Sequence, residues 1–458
     1  MSELDLVVRG GTVVRESGRQ VQDVGVRDGR IVELGRGLRG RREIDADGAF
    51  VLPGLIDPHV HLCAPEVLAA DEPEFVDDFH TGSLAALAGG VTTFGQMSFP
   101  LADEGPEAAV ARDLRACEVE AAADHFFHPG VLTATEGTAA EVARLASAGH
   151  TSLKIVMLAF DWDHSHLVDV VRTAGDSGML TLAHCEDHAM IEHATQRLVD
   201  AGQGDVAHYP QSRPVVSERA AVERLVAIGE LTGAPVYVVH LSSAEALEVT
   251  RSARARDLAV HVETRPLYLG LTDEVHAEPD GARYVGMPPV RSAADVAALW
   301  AGIADGSVDT IGSDHAPWTL EQKLEHADDL AALRKGVAEI ETMLPLLWTE
   351  GVQRGHVSVE DLVRVTATGP ARLFGLEGKG AVEVGLDADL VVVDPDASRV
   401  VDGSTMHSRA GYSVYDGRTL GGFPRWTISR GDVVAEDGVA DAAPGRGRHV
   451  RRRPWRRS

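Results

Sequence analysis

Hydrophobic and polar positions divide the chain into two textures. Between Leu55 and Asp314, short apolar runs rich in Val, Ile, Leu and Phe alternate with stretches whose apolar residues recur at helical spacing. The runs predict strands at 55–62, 91–97, 125–133, 152–158, 180–184, 236–241, 259–263 and 310–314. The intervening patterns predict helices, among them 78–88, 139–148, 217–232 and 293–305. Eight strands separated by helical stretches point to an α/β fold, a (β/α)8 TIM barrel, which gathers its functional side chains at the C-terminal strand ends.

The second texture frames the first. The opening fifty residues read as short strands, Asp5-Leu6-Val7-Val8, Thr12-Val13-Val14, Val24-Gly25-Val26 and Ile31-Val32-Glu33-Leu34, punctuated by Gly10-Gly11 and the turn Arg27-Asp28-Gly29-Arg30. The same texture returns at 388–394 and 426–434. Neither end buries a sufficient core alone, so the two are predicted to fold together as one small β-sandwich domain. The expected division is 1–52 and 380–444 for the sandwich, 53–379 for the barrel and 445–458 for a basic tail.

Composition narrows the class. The length of 458 residues suits a barrel of about 250–350 residues plus a smaller domain. The net charge of −27 argues against nucleic acid as a partner, because a phosphate backbone would be repelled. The tail is the exception, with seven arginines after Gly445. It reads as a docking arm for a neighbouring subunit or a polyanion, or, preferred here, as a solvated or merely structural terminus. No apolar run approaches the roughly 18 residues of a membrane helix. The segment Met1–Arg9 carries acids where a signal peptide starts basic, so no membrane association and a cytoplasmic setting are expected. Cys63, Cys117 and Cys185 form no CxxC pair, against a disulfide framework or a structural zinc cluster. Lysine is scarce: Lys154, Lys323, Lys335 and Lys379 are the full set, so a lysine inside an apolar strand needs a reason.

Candidate chemistry sits where the barrel rule puts it. In Pro53-Gly-Leu-Ile-Asp-Pro-His-Val-His-Leu62 the two histidines lie two apart on a predicted strand, so His59 and His61 share a face. Taken alone they are as consistent with hydrogen-bonded core histidines as with metal ligands. Lys154 in the fourth strand, His184 ending the fifth, His240 ending the sixth and Asp314 ending the eighth complete a set converging on one rim. Four imidazoles and a carboxylate suit two divalent ions, zinc first. Lys154 is either a core lysine reaching the rim or, after reaction with CO2, a carbamate able to bridge two metals. A two-metal centre generates a bridging hydroxide at neutral pH and polarises a carbonyl, which is hydrolysis. Asp314 is the expected catalytic proton shuttle. His315, next to Asp314, is expected beside the site.

Those residues and their surroundings resemble the cyclic amidohydrolases of the amidohydrolase superfamily, the group of dihydropyrimidinase, hydantoinase, allantoinase and dihydroorotase. The likeness spans essentially the whole chain, through 53–62, Asp78-Phe-His-Thr-Gly-Ser83, Leu153-Lys-Ile155, Ala183-His-Cys-Glu186, Ser212-Arg-Pro214, Val239-His-Leu-Ser-Ser243 and Ser313-Asp-His-Ala-Pro317. The resemblance implies a barrel with a β-sandwich, and a binuclear centre held by His59, His61, a carboxylated Lys154, His184, His240 and Asp314. It also implies Phe160, Met287, Pro288 and His315 around the substrate, and a homotetramer, or a dimer.

Three positions depart from the hydantoinase and dihydropyrimidinase pattern. A tyrosine that usually assists the oxyanion is replaced at Ala159, with Phe160 next to it. Gly286-Met-Pro-Pro289 lacks the usual polar residues beside the ring, and Lys335-Gly-Val-Ala-Glu339 stands where an Asn-Gly segment is usual. The expected activity is hydrolysis of a hydantoin or dihydropyrimidine-type ring. Allantoinase, another imide or lactam hydrolase, and a non-catalytic assembly protein of the same fold are the alternatives; the last is disfavoured because every ligand position is kept. The acidic and histidine-bearing loop at 159–166 reads as solvated.

Overall fold

The computed structural model describes residues 3–69, 75–102, 104–157 and 164–456. Eight parallel strands, Leu55–Val60, Val91–Ser98, Asp124–Val131, Ser152–Val156, Leu180–His184, Val236–Val238, Val260–Thr264 and Thr310–Ile311, neighbour one another in sequence order. A parallel bridge from Val60 to His315, with His61 N donating to His315 O at 2.9 Å, joins the two edges and closes the ring. Helices cover the outside, which is why most strand positions are buried on both faces and read as continuous apolar runs.

Helix starts are chemically marked. Asp78 Oδ1 accepts from Thr81 N at 2.7 Å while Thr81 Oγ1 accepts from Asp78 N, a reciprocal cap on Phe79–Ala88. Ser292 and Asp295 do the same for Ala293–Ala304. Five strands stop short of the apolar run that predicts them, the third and fourth by two residues each. The first ends at Val60 because His61 N leaves the ladder for His315 O. The sixth ends at Val238 and the eighth at Ile311, ahead of His240 and Asp314, whose backbones turn left-handed at φ 39° and 49°. His61, His240 and Asp314 therefore stand just beyond the strand ends, while His59, Lys154 and His184 lie within their strands.

The β segments from the two ends of the chain meet in one seven-stranded sheet, where Leu390–Val393 lies antiparallel between Phe50–Pro53 and Pro424–Ser429. A four-stranded sheet of Arg30–Gly35, Asp23–Arg27, Leu4–Arg9 and Gly40–Asp45 packs against it around Val8, Val26, Ile31, Val51 and Val392. The arginine-rich tail crosses the N-terminal ends of the barrel strands. His125 N donates to Arg448 O, Val450 N to His125 O and Trp455 N to Gly178 O. Arg452 reaches into the barrel floor, where Nη1 donates to Ser152 Oγ and Nη2 to Phe127 O, both at 2.7 Å, over the Phe126 ring. Of the readings open for the tail, the structural one describes what it does within this chain. Beside it Lys379 Nζ binds Asp124 and Asp389 at 2.6 Å and Asp387 at 3.1 Å, filling an acidic cluster that ties barrel to sandwich. No helix among the described residues is long and apolar enough to cross a membrane.

Candidate active site

One cavity of about 840 Å3 opens at the C-terminal rim, with His59, His61, Lys154, His184, His240 and Asp314 on its wall. The six come from five strands, so only closure of the barrel brings them together. They form two clusters. His59 Nε2 lies 3.3 Å from His61 Nε2, and both approach Asp314 Oδ1, at 3.2 and 3.1 Å. Across the cavity His184 Nδ1 faces His240 Nε2 at 2.9 Å.

Buried carboxylates fix which nitrogens point inward. Glu263 Oε1 accepts a hydrogen bond from His59 Nδ1–H at 2.8 Å, leaving the His59 Nε2 lone pair for the cavity. Glu186 Oε2 accepts from His184 Nε2 at 2.8 Å, leaving Nδ1. Burial holds His59, His184 and His240 below the ordinary imidazole range, so they are neutral at pH 7. Glu186 is held down to about 2: burial would raise it, but the Arg213 guanidinium and His184 outweigh that. Arg213 Nε donates to Glu186 Oε1 at 3.0 Å.

Asp314 faces the same contest. Burial raises its carboxyl, yet Arg265 and His59 hold it well below the usual range. Arg265 Nη1 donates to Asp314 Oδ2 at 2.6 Å, and its Nε and Nη2 donate to Glu339 Oε2, while the Tyr415 hydroxyl donates to Glu339 Oε1 at 2.8 Å. One oxygen of Asp314 is thereby anchored while Oδ1 faces the histidines. Lys154 has no hydrogen-bond partner among the described residues, and burial lowers its ammonium despite Asp314 and Glu263. A buried amine that loses its proton easily is the kind that adds CO2. The convergent lone pairs, the ionised Asp314 and this amine fit a pair of divalent cations: His59, His61 and Asp314 offer ligand atoms within 4.8 Å of one another.

The remaining expected residues are scattered. Met287 lines the cavity, while Pro288 does not, its carbonyl accepting the Tyr268 hydroxyl at 2.7 Å. His315 lies behind Asp314, where Nε2 pairs with Asp77 at 3.0 Å and Nδ1 accepts from Glu339 N at 3.2 Å. Phe160 and Ala159 lie outside the described residues. Sequence reasoning assigns no role to Glu186, Glu263 or Arg265. The signal it could use is charge in buried places: Glu186 stands two residues after His184, and Glu263-Thr-Arg265 ends an apolar strand. It also passes over Asp57, whose Oδ1 accepts from His59 N and Ser313 N at 3.0 Å each and whose carboxyl burial pushes up to about 7.

The sequence profile of the amidohydrolase family matches residues 50–434. The chain belongs to the amidohydrolase family. Family members of known activity align along the full length. A D-hydantoinase of Rhizobium radiobacter is 33% identical, the match covering 99% of this chain and 100% of the relative. A D-phenylhydantoinase of Escherichia coli O9:H4 (strain HS) is 32% identical over 98% of each. Among solved structures, the dihydropyrimidinase of Brevibacillus agri NCHU1002 superposes with a TM-score of 0.93 at 32% identity, covering 99% of both chains. The L-hydantoinase (dihydropyrimidinase) of Arthrobacter aurescens gives 0.91 at 31% identity, over 98% of this chain and 100% of that one.

Proposed function

We propose that the protein is a metal-dependent hydrolase that opens a cyclic amide ring of the hydantoin or dihydropyrimidine type. The observation that carries this reading is the convergence of four imidazoles, one ionised carboxylate and one buried amine, unpartnered among the described residues, on a single cavity wall. Two divalent metal ions, zinc first, would be held by His59, His61, His184, His240, Asp314 and a carbamate on Lys154, and when bound would supply hydroxide at neutral pH and polarise the amide carbonyl.

The chain's own groups do the rest. Asp314 Oδ1 receives the proton of the attacking water and returns it to the ring nitrogen as the C–N bond breaks. Arg265, donating to Oδ2, keeps Asp314 ionised before that transfer and fixes its direction. Glu263 and Glu186 hold the histidine tautomers through both steps. Phe75, Phe99 and Met287 give the cavity apolar walls that favour a ring over bulk water.

The same reading places the protein in the cytoplasm, in keeping with three buried free cysteines, and assembles it as a homotetramer; light scattering against the mass of one 458-residue chain tests the assembly. The activity is tested by giving metal-loaded protein a panel of rings: dihydrouracil, hydantoin, 5-phenylhydantoin, allantoin, dihydroorotate, glutarimide and a simple lactam. Turnover of hydantoin or dihydrouracil is expected. Turnover of allantoin alone would move the protein to the allantoinase reading, and silence across the panel with two metals bound per chain would end the cyclic-amide reading.

A further inference from the structure

The cavity that carries the site is longer than the metal-ligand clusters, and its outer end differs in chemistry from its inner end. From His61 a chain of ring contacts runs outward along one wall. Phe75 lies 5.5 Å from the His61 ring, Trp318 lies edge-on 5.4 Å from Phe75, and the Arg334 guanidinium stands 5.0 Å over Trp318. Lys335 follows Arg334 on the same lining, and Trp318 Nε1 donates to its carbonyl at 3.0 Å. The apolar wall thus begins at a candidate ligand histidine and ends at two cations.

Among the described residues those cations have no acid partner: no carboxylate lies within ion-pair distance of either, and Arg334 Nε is buried without a hydrogen-bond partner. Lys335 Nζ donates only to Ala331 O, at 3.0 Å. Asp329 and Glu186 act on Lys335 from beyond pairing range, and Glu186 is committed to Arg213 and His184. In a chain with 70 acidic and 43 basic residues, these two adjacent cations on a cavity wall have no acid partner among the described residues, whereas Arg213, Arg265 and Arg430 are paired with carboxylates and the acid-free Arg452 and Lys323 are satisfied by hydroxyl and carbonyl oxygens. A half-buried cation without a counter-charge is costly, and an incoming anion removes that cost.

The backbone that carries them is fixed. Lys323, fully buried, donates Nζ to Val285 O and Arg334 O at 2.6 Å and to Gly336 O at 2.9 Å, gripping the 334–336 segment from behind. Gly336 has φ 126°, and a Cβ there would stand 2.5 Å from Ala316 O, so the turn presenting Lys335 cannot be held by another residue without strain. The segment is built to present its cations in one place.

Resting on the cyclic-amide reading, we propose that the substrate carries an anionic substituent: its ring sits at the histidine clusters, its linker lies along Phe75 and Trp318, and a terminal carboxylate is bound by Arg334 and Lys335. Guanidinium matches carboxylate in a forked pair and ammonium adds a second point charge, so acid is selected over its uncharged isostere.

The test compares four 5-substituted hydantoins with metal-loaded protein: 5-(2-carboxyethyl)- and 5-(4-carboxyphenyl)hydantoin, each against its carboxamide. A charge-assisted hydrogen bond predicts at least about tenfold higher kcat/KM for the acids, carried mainly by KM and shrinking as salt rises. In Arg334→Gln and Lys335→Gln proteins of unchanged melting temperature and metal content, the acid-to-amide ratio falls toward one. In Lys335→Glu it inverts, with a 5-(4-aminobutyl) substituent becoming the better substrate. If the carboxamides are turned over as well as the acids by the wild type, the anionic substituent is wrong while the ring-opening activity stands. If no hydantoin is opened although both metals are bound, dihydrouracil in the same assay separates the outcomes: its turnover keeps the ring-opening reading and overturns this inference, and silence there ends both. If the ratio survives all three substitutions, the selecting cation lies elsewhere and the assignment to Arg334 and Lys335 is overturned.

Discussion

Asp314 joins two requirements that pull against each other, burial and ionisation. Its side chain is buried beside the histidines, where a lone carboxylate would be neutral, and Arg265 reverses that by a direct bond to Oδ2. Asp314→Asn keeps the shape and removes the proton acceptor, so turnover should fall by about 100-fold or more with metal content little changed; wild-type turnover in that variant would mean another group moves the proton. Lys154→Ala removes the one amine that can become a bridge. Purified with added zinc, it should bind less than the full metal complement and lose activity, and metal analysis of the purified variant decides it. At this scale the sequence is half legible. The spacing of His59 and His61 singles them out, as do the positions of Lys154, His184, His240 and Asp314 in or just after apolar runs. Glu263 and Arg265 are not legible as partners, because their function is set by what they touch: Glu263 meets a histidine 204 residues away and Arg265 an aspartate 49 residues away.

Among the elements, the eight strands are legible because parallel strands covered on both sides read as unbroken apolar runs. Their ends are not, since His240 and Asp314 leave the ladder through left-handed backbone turns and His61 N turns to His315 O across the barrel closure, neither of which hydrophobicity records. The tail shows the same limit from another side. Its arginines point to solvent, but backbone hydrogen bonds to His125, Gly178 and Gly375 lay it across the barrel floor. There His449 stacks on His125 at 6.1 Å and lies 6.4 Å from His150. Burial lowers His125 to about 4 and His150 to about 3, and lowers His449 as well. All three are lowered relative to the unfolded chain, so the unfolded state takes up protons first as pH falls. Their contribution is fully present above about pH 6.5 and is lost progressively toward pH 4. The melting temperature should therefore drop across that window, and His125→Phe should drop less steeply; an unchanged slope would show that the seam does not control acid stability.

The whole molecule is legible as a barrel framed by β segments, because two distinct hydrophobic periods divide the chain. The pairing of Phe50–Pro53 with Leu390–Val393 is foreseeable only as a need for each end to find a core. Metal removal acts at this scale too. Ligands drawn from five strands couple the site to the closed ring, so stripping ions with dipicolinate should abolish activity and lower the melting temperature, and added zinc should restore both; a melting temperature indifferent to chelation would uncouple the site from the fold. The distribution of lysines has a practical consequence. Lys154, Lys323 and Lys379 are 2%, 1% and 8% exposed, and Lys335, the fourth, is partly exposed on the cavity wall. Attachment to a support or a dye through lysine side chains would fall on Lys335 and close the molecule's own entrance, whereas coupling through the many surface carboxylates would leave the mouth open.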